Sequence, residues 1–214
     1  MKIIHPNILN DLAKVVDVDN LLNSEDKIEN ANLDNIDISG RRLKSVIIQE
    51  SLVNKTNFMN TNIERFEVSD CTFKDCDFTA SSLATSSWHV VEIVNARCTG
   101  LQLQNSTLRN VMFKGCKIEL VNLRFAKLEN IIFQDCMIND IDFYNSTLKN
   151  VEFAGCNIEN ISFSGAKLKN VDLTRSQIIS VRGVGGLKGS TINYEQLIIL
   201  APYFALEFGI IIKD

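Results

Sequence analysis

Four cysteines, Cys76, Cys116, Cys136 and Cys156, stand apart by multiples of twenty residues, and Ala96 and Ser176 complete the same series. Thiolates gathered in space could hold a soft metal ion or pair as disulfides. The alternation with Ala and Ser points instead to a narrow interior slot, because free Cys packs as a small hydrophobe. No Cys-x-x-Cys occurs to suggest zinc, so no metal site is expected. Ser86, Ser87, Trp88 and His89 set hydroxyls beside an imidazole, the pairing that nucleophilic catalysis uses. Neighbours on an extended chain face opposite ways, however, and no oxyanion loop is visible. His5 and His89 are the only histidines, and there is no phosphate loop or dinucleotide fingerprint. The chain is therefore read as non-enzymatic, with no catalytic residue, no cofactor and no metal.

These residues sit inside a periodic pattern. Every fifth residue from Leu33 to Ile178 is apolar or Cys, thirty positions in one frame. Leu108, Phe113, Leu128, Phe133, Leu148, Phe153 and Leu168 belong to it and are expected to stack as a core. Two residues earlier the side chains are mostly small or apolar, as at Val111, Cys116, Ile131, Cys136, Val151 and Cys156. Residues two apart on an extended backbone point to one side, so each unit sends two side chains inward and three outward. A period of five fits neither an α-helix nor an unbroken strand, and the chain must turn once per unit. Asn95, Gly100, Asn105, Asn130, Asp135 and Gly155 fall at the turn, where their types tolerate tight backbone angles.

A period of twenty lies above the period of five. Ser106-Thr107-Leu108-Arg109-Asn110-Val111 returns as Ala126-Lys127-Leu128-Glu129-Asn130-Ile131, and twice more from Ser146 and Ala166. Four units thus make one square circuit, and circuits stack in register with parallel strands about 4.8 Å apart. The predicted fold is all-β. The units Ala31-Asn32-Leu33-Asp34-Asn35 and Val171-Asp172-Leu173-Thr174-Arg175 closely resemble those of the pentapeptide-repeat family. That resemblance covers about two thirds of the chain and implies a right-handed quadrilateral parallel β-helix.

The open ends of such a coil need caps. Residues 1–30 lose the repeat and are read as an N-terminal cap with Ile8, Leu9, Leu12, Val15 and Val16, followed by an acidic lead-in with Asp17, Asp19, Glu25 and Asp26. Residues 31–182 form the β-helix, and residues 183–214 a short α-helical C-terminal cap and dimerisation segment. Gly183, Gly185, Gly186 and Gly189 break the repeat, and Asn193 is placed to cap a short helix. Pro202 is expected to end that helix and open a second one, and Ile210–Ile212 to form a strand. Ile192, Gln196, Leu200, Phe208 and Gly209–Ile212 resemble the terminal module of the gyrase-binding, quinolone-resistance members of the family, with a longer stretch between Leu200 and Gly209. In those relatives the module joins two subunits, which implies a homodimer here with Leu197, Leu200, Phe204, Leu206, Phe208 and Ile210 as candidate contacts.

The 214 residues carry a formal net charge of −4 with 45% hydrophobic residues, an ordinary globular composition without the basic footprint of a nucleic-acid binder. No apolar run approaches the roughly 18 residues of a membrane span, and no secretory signal opens the chain, so the cytoplasm is expected. A DNA mimic that binds DNA gyrase or topoisomerase IV needs a sustained acidic face. Glu92, Glu152 and Asp172 share one column, but Met112 and Ile132 interrupt it, and the next face carries Arg109, Lys127, Lys149, Lys167 and Lys169. The favoured reading is a scaffold binding a protein partner, with Met112, Leu120, Phe125, Ile132, Met137 and Tyr144 as candidate outward contacts.

Overall fold

Parallel pairing at intervals of twenty residues runs the length of the coil in the computed structural model, which describes residues 3–9, 11–15 and 27–213. Strand Thr107–Lys114 lies between Ser87–Val94 and Lys127–Gln134, and Thr147–Glu159 follows in the same register. The chain makes about eight turns of a right-handed quadrilateral β-helix. Val16, Asp17, Asp19, Glu25 and Asp26 lie outside the described residues. The coil starts one unit earlier than the frame from Leu33 suggests, because Ile28 already points inward and pairs with Ile48. Below it, Ala13–Lys14 add a short parallel strand against Ala31–Asn32.

The four sides are conveniently named by their inward centres. The first face holds Phe113, Phe133 and Phe153, directly over one another with near-parallel rings 5.0 and 4.7 Å apart. The second face carries the Cys116–Cys136–Cys156 column, the third Leu123 and Phe143, and the fourth Leu108, Leu128 and Leu148. Leu168, at the top of the fourth stack, is only half-buried against the core. Offset ring stacking adds to the burial of apolar area that drives the coil together.

Corners explain the period. Asn and Asp at the last position of each unit take positive φ near 55°, as at Asn95, Asn130 and Asp140, the left-handed conformation that these residues adopt with least strain. Their amides then serve the ladder from coil to coil: Asn130 Nδ2 donates to Asn110 Oδ1 at 3.0 Å, Asn150 to Asn130 at 2.9 Å, and Asn170 to Asn150 at 3.0 Å. One residue type thus satisfies both the turn and the coil-to-coil contact.

After Arg182 the path closes differently. Val184–Leu187 form a 3-10 turn whose Val184 and Leu187 are buried against the coil. A Cβ on Gly186 would fall 1.9 Å from the Phe163 carbonyl oxygen, so only glycine lets this turn approach. Helix α1, Tyr194–Glu207, then lies across the end of the solenoid. It begins with a full capping box between Asn193 and Gln196.

Helix α1 corrects the sequence reading in three places. It runs through Pro202 as one helix, since the bond that proline removes belongs to the carbonyl of exposed Ile198, where water can serve it. Ile210–Ile212 form no strand, and no ladder neighbour stands beside them among the described residues. Leu200, a candidate dimer contact, is fully buried on the coil end, and Phe204 is partly packed against the same core.

Gln196 has the decisive place in the cap. It stands twenty residues after Ser176, and its Nε2 donates to the carbonyls of Leu173 and Ser176, both at 2.7 Å. In the coils beneath, the thiol or hydroxyl of the equivalent slot bonds the same carbonyl, as Cys156 Sγ does to Phe133. Gln196 therefore stands in for the residue that another turn would have supplied. Replacing it by Leu strands two buried carbonyls and breaks the capping box, and we expect a loss of about 2–4 kcal/mol. Urea unfolding measures this; an unchanged midpoint would mean that the cap does not hold the end.

Candidate functional site

The inward residues singled out by their chemistry are consumed by the core. Cys76, Cys116, Cys136 and Cys156 are buried, and each thiol donates to a backbone carbonyl of the coil below, Cys116 to Ile93 and Cys136 to Phe113. Among the described residues no group of three or more His, Cys, Asp or Glu could hold a metal ion. Ser86 points inward, accepting from Trp88 Nε1 at 2.7 Å and bonding Ser106, whereas His89 is exposed on the outer surface. The hydroxyl of Ser86 and the imidazole of His89 thus lie on opposite sides of the wall.

The candidate outward contacts do not form one patch. Met112 is a correction: it is 9% exposed although its column faces outward. Ile132, one coil above on the first face, is half-buried. Met137 is exposed on the second face, and Leu120 sits at the corner between the second and third.

Phe125 and Tyr144 do come together on the third face. Their rings meet edge-on with centroids 5.7 Å apart. Arg124, which the sequence reading passed over, lies with its guanidinium carbon 4.9 Å from the Tyr144 ring centroid and its Nε 3.0 Å from Asp142 Oδ2. A basic residue twenty before an outward aromatic was the available signal, since that interval places side chains on adjacent rungs. Ring, guanidinium and carboxylate hold one another in a fixed, half-exposed cluster.

Leu120 and Phe125 occupy two successive corners with φ of 53° and 59°. A left-handed backbone costs an ordinary L-residue roughly 1–2 kcal/mol, and Asn or Gly would be cheaper there. Both side chains nevertheless stand out in water, 61% and 51% exposed. Their place in the five-residue frame, two after Ile118 and Leu123, marks them as corner residues in the sequence alone.

The carboxylates of the first face are not free. Glu92 meets His5 Nδ1 at 2.5 Å, and Glu152, buried, is paired with Arg175. On the fourth face Glu129 is shared by Arg109 and Lys149. No helix among the described residues is long and apolar enough to cross a membrane.

Fold and surface together define a parallel β-solenoid built from five-residue units, with regular side walls and a helical plug. The family model described as "pentapeptide repeat region" matches residues 66–143 and again 106–182, more than half of the chain, and the protein belongs to the pentapeptide-repeat family. Among solved structures, trypsin-treated QnrB1, a plasmid-mediated fluoroquinolone resistance protein, shares 18% identity over 95% of this chain and 100% of its own, at a TM-score of 0.39. HetL, a pentapeptide repeat protein involved in heterocyst differentiation regulation in the cyanobacterium Nostoc, shares 12% identity over 73% and 84%, at 0.25. The A-module of the Azotobacter vinelandii mannuronan C-5 epimerase AlgE4 shares 9% over 77% and 56%, at 0.40. Overlaps this loose carry no functional argument. No curated protein matches the chain in sequence.

Burial has a measurable consequence for the thiols. It pushes Cys71 and Cys76 from the usual thiol value of 9.0 up to about 12. Cys136 also rises to about 12, through its side-chain hydrogen bond with Cys116 and then burial. A raised acid binds its proton more tightly in the folded chain, so this stability is complete below pH about 9 and drains away as pH rises towards 12. The slope reaches about 1.4 kcal/mol per pH unit for each such thiol. We expect the urea midpoint to hold level from pH 6 to 8 and fall by pH 10, less steeply in Cys71→Ser and Cys76→Ser; equal slopes in wild type and variants would contradict it.

Proposed function

We propose that this chain is a non-enzymatic scaffold that docks a protein partner on its third face, around Leu120, Arg124, Phe125 and Tyr144. The carrying observation is the pair of corners at Leu120 and Phe125. There the backbone accepts unfavourable angles with large apolar side chains that gain nothing from the coil's interior, and such local cost points to a role outside folding. Tyr and Arg held beside them are the residue types that dominate protein interfaces. Six buried, unpaired cysteines favour the reducing cytoplasm for such a scaffold.

The charge distribution speaks against the alternative of a DNA mimic acting on gyrase. Along the first face Glu92 and Glu152 are each matched by a cation or imidazole, so the column lacks the sustained negative potential that mimicry needs. Direct nucleic-acid binding is not expected at a net charge of −4 either.

Two copies are proposed to meet through the C-terminal cap. Tyr194, Leu197, Leu206, Phe208 and Ile210 are exposed on or just after helix α1, with Leu206 and Phe208 at 79% and 76%. An apolar surface of this density is what an interface covers. Leu200 serves the plug, not the contact.

Leu120→Asn relieves a corner, so its stability should match wild type or exceed it by up to about 1 kcal/mol. The double variant Leu120→Asn/Phe125→Asn should at the same time lose the proteins that wild type retains in quantitative cross-linking from cell extract. Undiminished retention would sink the third-face reading. Sedimentation should give a dimer for wild type and a monomer for Leu206→Asp/Phe208→Asp; a monomeric wild type at tens of micromolar would end the dimer proposal.

A further inference from the structure

The burial of Met112 leads to a second surface. Its column on the outside of the first face runs Leu52, Thr72, Glu92, Met112 and Ile132, one residue per coil. Residues 3–9 form an arm that meets this column where His5 Nδ1 bonds Glu92 Oε1. Eight residues later Ala13 pairs with Ala31, three coils beneath Glu92. The arm therefore travels towards the base of the coil, and a straight continuation before His5 would run the opposite way. Two extended residues span about 6.6 Å and one coil about 4.8 Å. At that spacing an extended chain would carry Ile3 to about the level of Met112, and both are nearly buried, at 8% and 9% exposure, although neither column nor arm faces the interior.

Pro6 fits this placement. It lacks an N–H, and the residue before a proline is held extended, so His5 and Pro6 favour a straight segment that adds no rung to the ladder. Among the described residues the first backbone bond joining the N-terminal segment to the coil is Ala13 N–H to the Asn30 carbonyl. The arm's tie to the face is a side-chain one, the His5 imidazole on Glu92, with Ile3 buried two residues before it.

We propose that the first face is a recognition groove for an extended peptide segment that carries an aliphatic side chain two residues ahead of an imidazole or cation, and that the arm is its built-in occupant. A partner presenting the same pattern displaces the arm and takes Met112 and Glu92 in its place. The inference deepens the scaffold reading by naming a ligand class. It stands on the opposite wall from Phe125, so either surface can fail its test without the other.

The test uses the full chain with its arm loosened by Ile3→Asp/His5→Ala, and a fluorescent peptide of residues 2–9 as the probe, followed by anisotropy. The loosened variant is expected to bind the peptide saturably. Wild type should bind at least about tenfold more weakly, because its tethered arm competes at an effective concentration on the order of millimolar. Adding Met112→Asp, or Ile132→Asp should the first fail to fold, should abolish binding, and Glu92→Gln should weaken it at least about threefold. Circular dichroism confirms the fold of each variant. Absence of saturable binding to the loosened variant, or binding that survives Met112→Asp and Ile132→Asp, would overturn the proposal.

Discussion

Closure of the circuit after twenty residues is the constraint on which the remaining features depend. It requires a sharp bend at every fifth residue, and the left-handed corner supplies that bend at low cost when Asn, Asp or Gly stands there. Once every circuit has the same length, equivalent residues fall above one another and the backbone bonds pass from coil to coil. The side chains inherit that alignment, which is why Phe stacks on Phe, Cys on Cys and Asn on Asn. Neighbouring turns thereby supply one another's missing walls, as in other solenoids.

The interior slots show how the coil handles polar groups that it must bury. Carbonyls at the large apolar positions receive a bond from a small side chain in the next turn: a thiol from Cys136, a hydroxyl from Ser81 or Thr61. A buried carbonyl left without a donor would cost more than the bond contributes when made. This need explains why Cys and Ser interchange along one column. Trp88 meets the same need within its own turn, its indole N–H taken up by the Ser86 hydroxyl two residues before it.

Much of this was legible because it is local. A period of five, two inward side chains per unit and a corner residue follow from geometry within a few residues, and Phe113, Phe133 and Phe153 could be placed in one stack from their numbers alone. What escaped depends on chain distant in sequence. Met112 reads as an outward side chain, and so it is by frame, yet it is nearly buried in a column that the N-terminal arm meets at Glu92. Leu200 reads as one apolar helix residue among several, and only the helix's seat on the coil end separates it from exposed Leu206. Pro202 carries a strong local signal that tertiary docking overrode. Arg124 reads as an ordinary surface charge until Tyr144 is set beside it.

Gln196 imitates one further rung, so the plug does not need to know how many turns precede it. Its fit depends only on which corner the last turn reaches. Whole multiples of twenty residues could be spliced in or cut out below Val171 while the same stopper still seated, whereas a gain or loss of five would present it with the wrong wall. The rod's length is thus free to drift in full turns, and its ending is transferable as a unit.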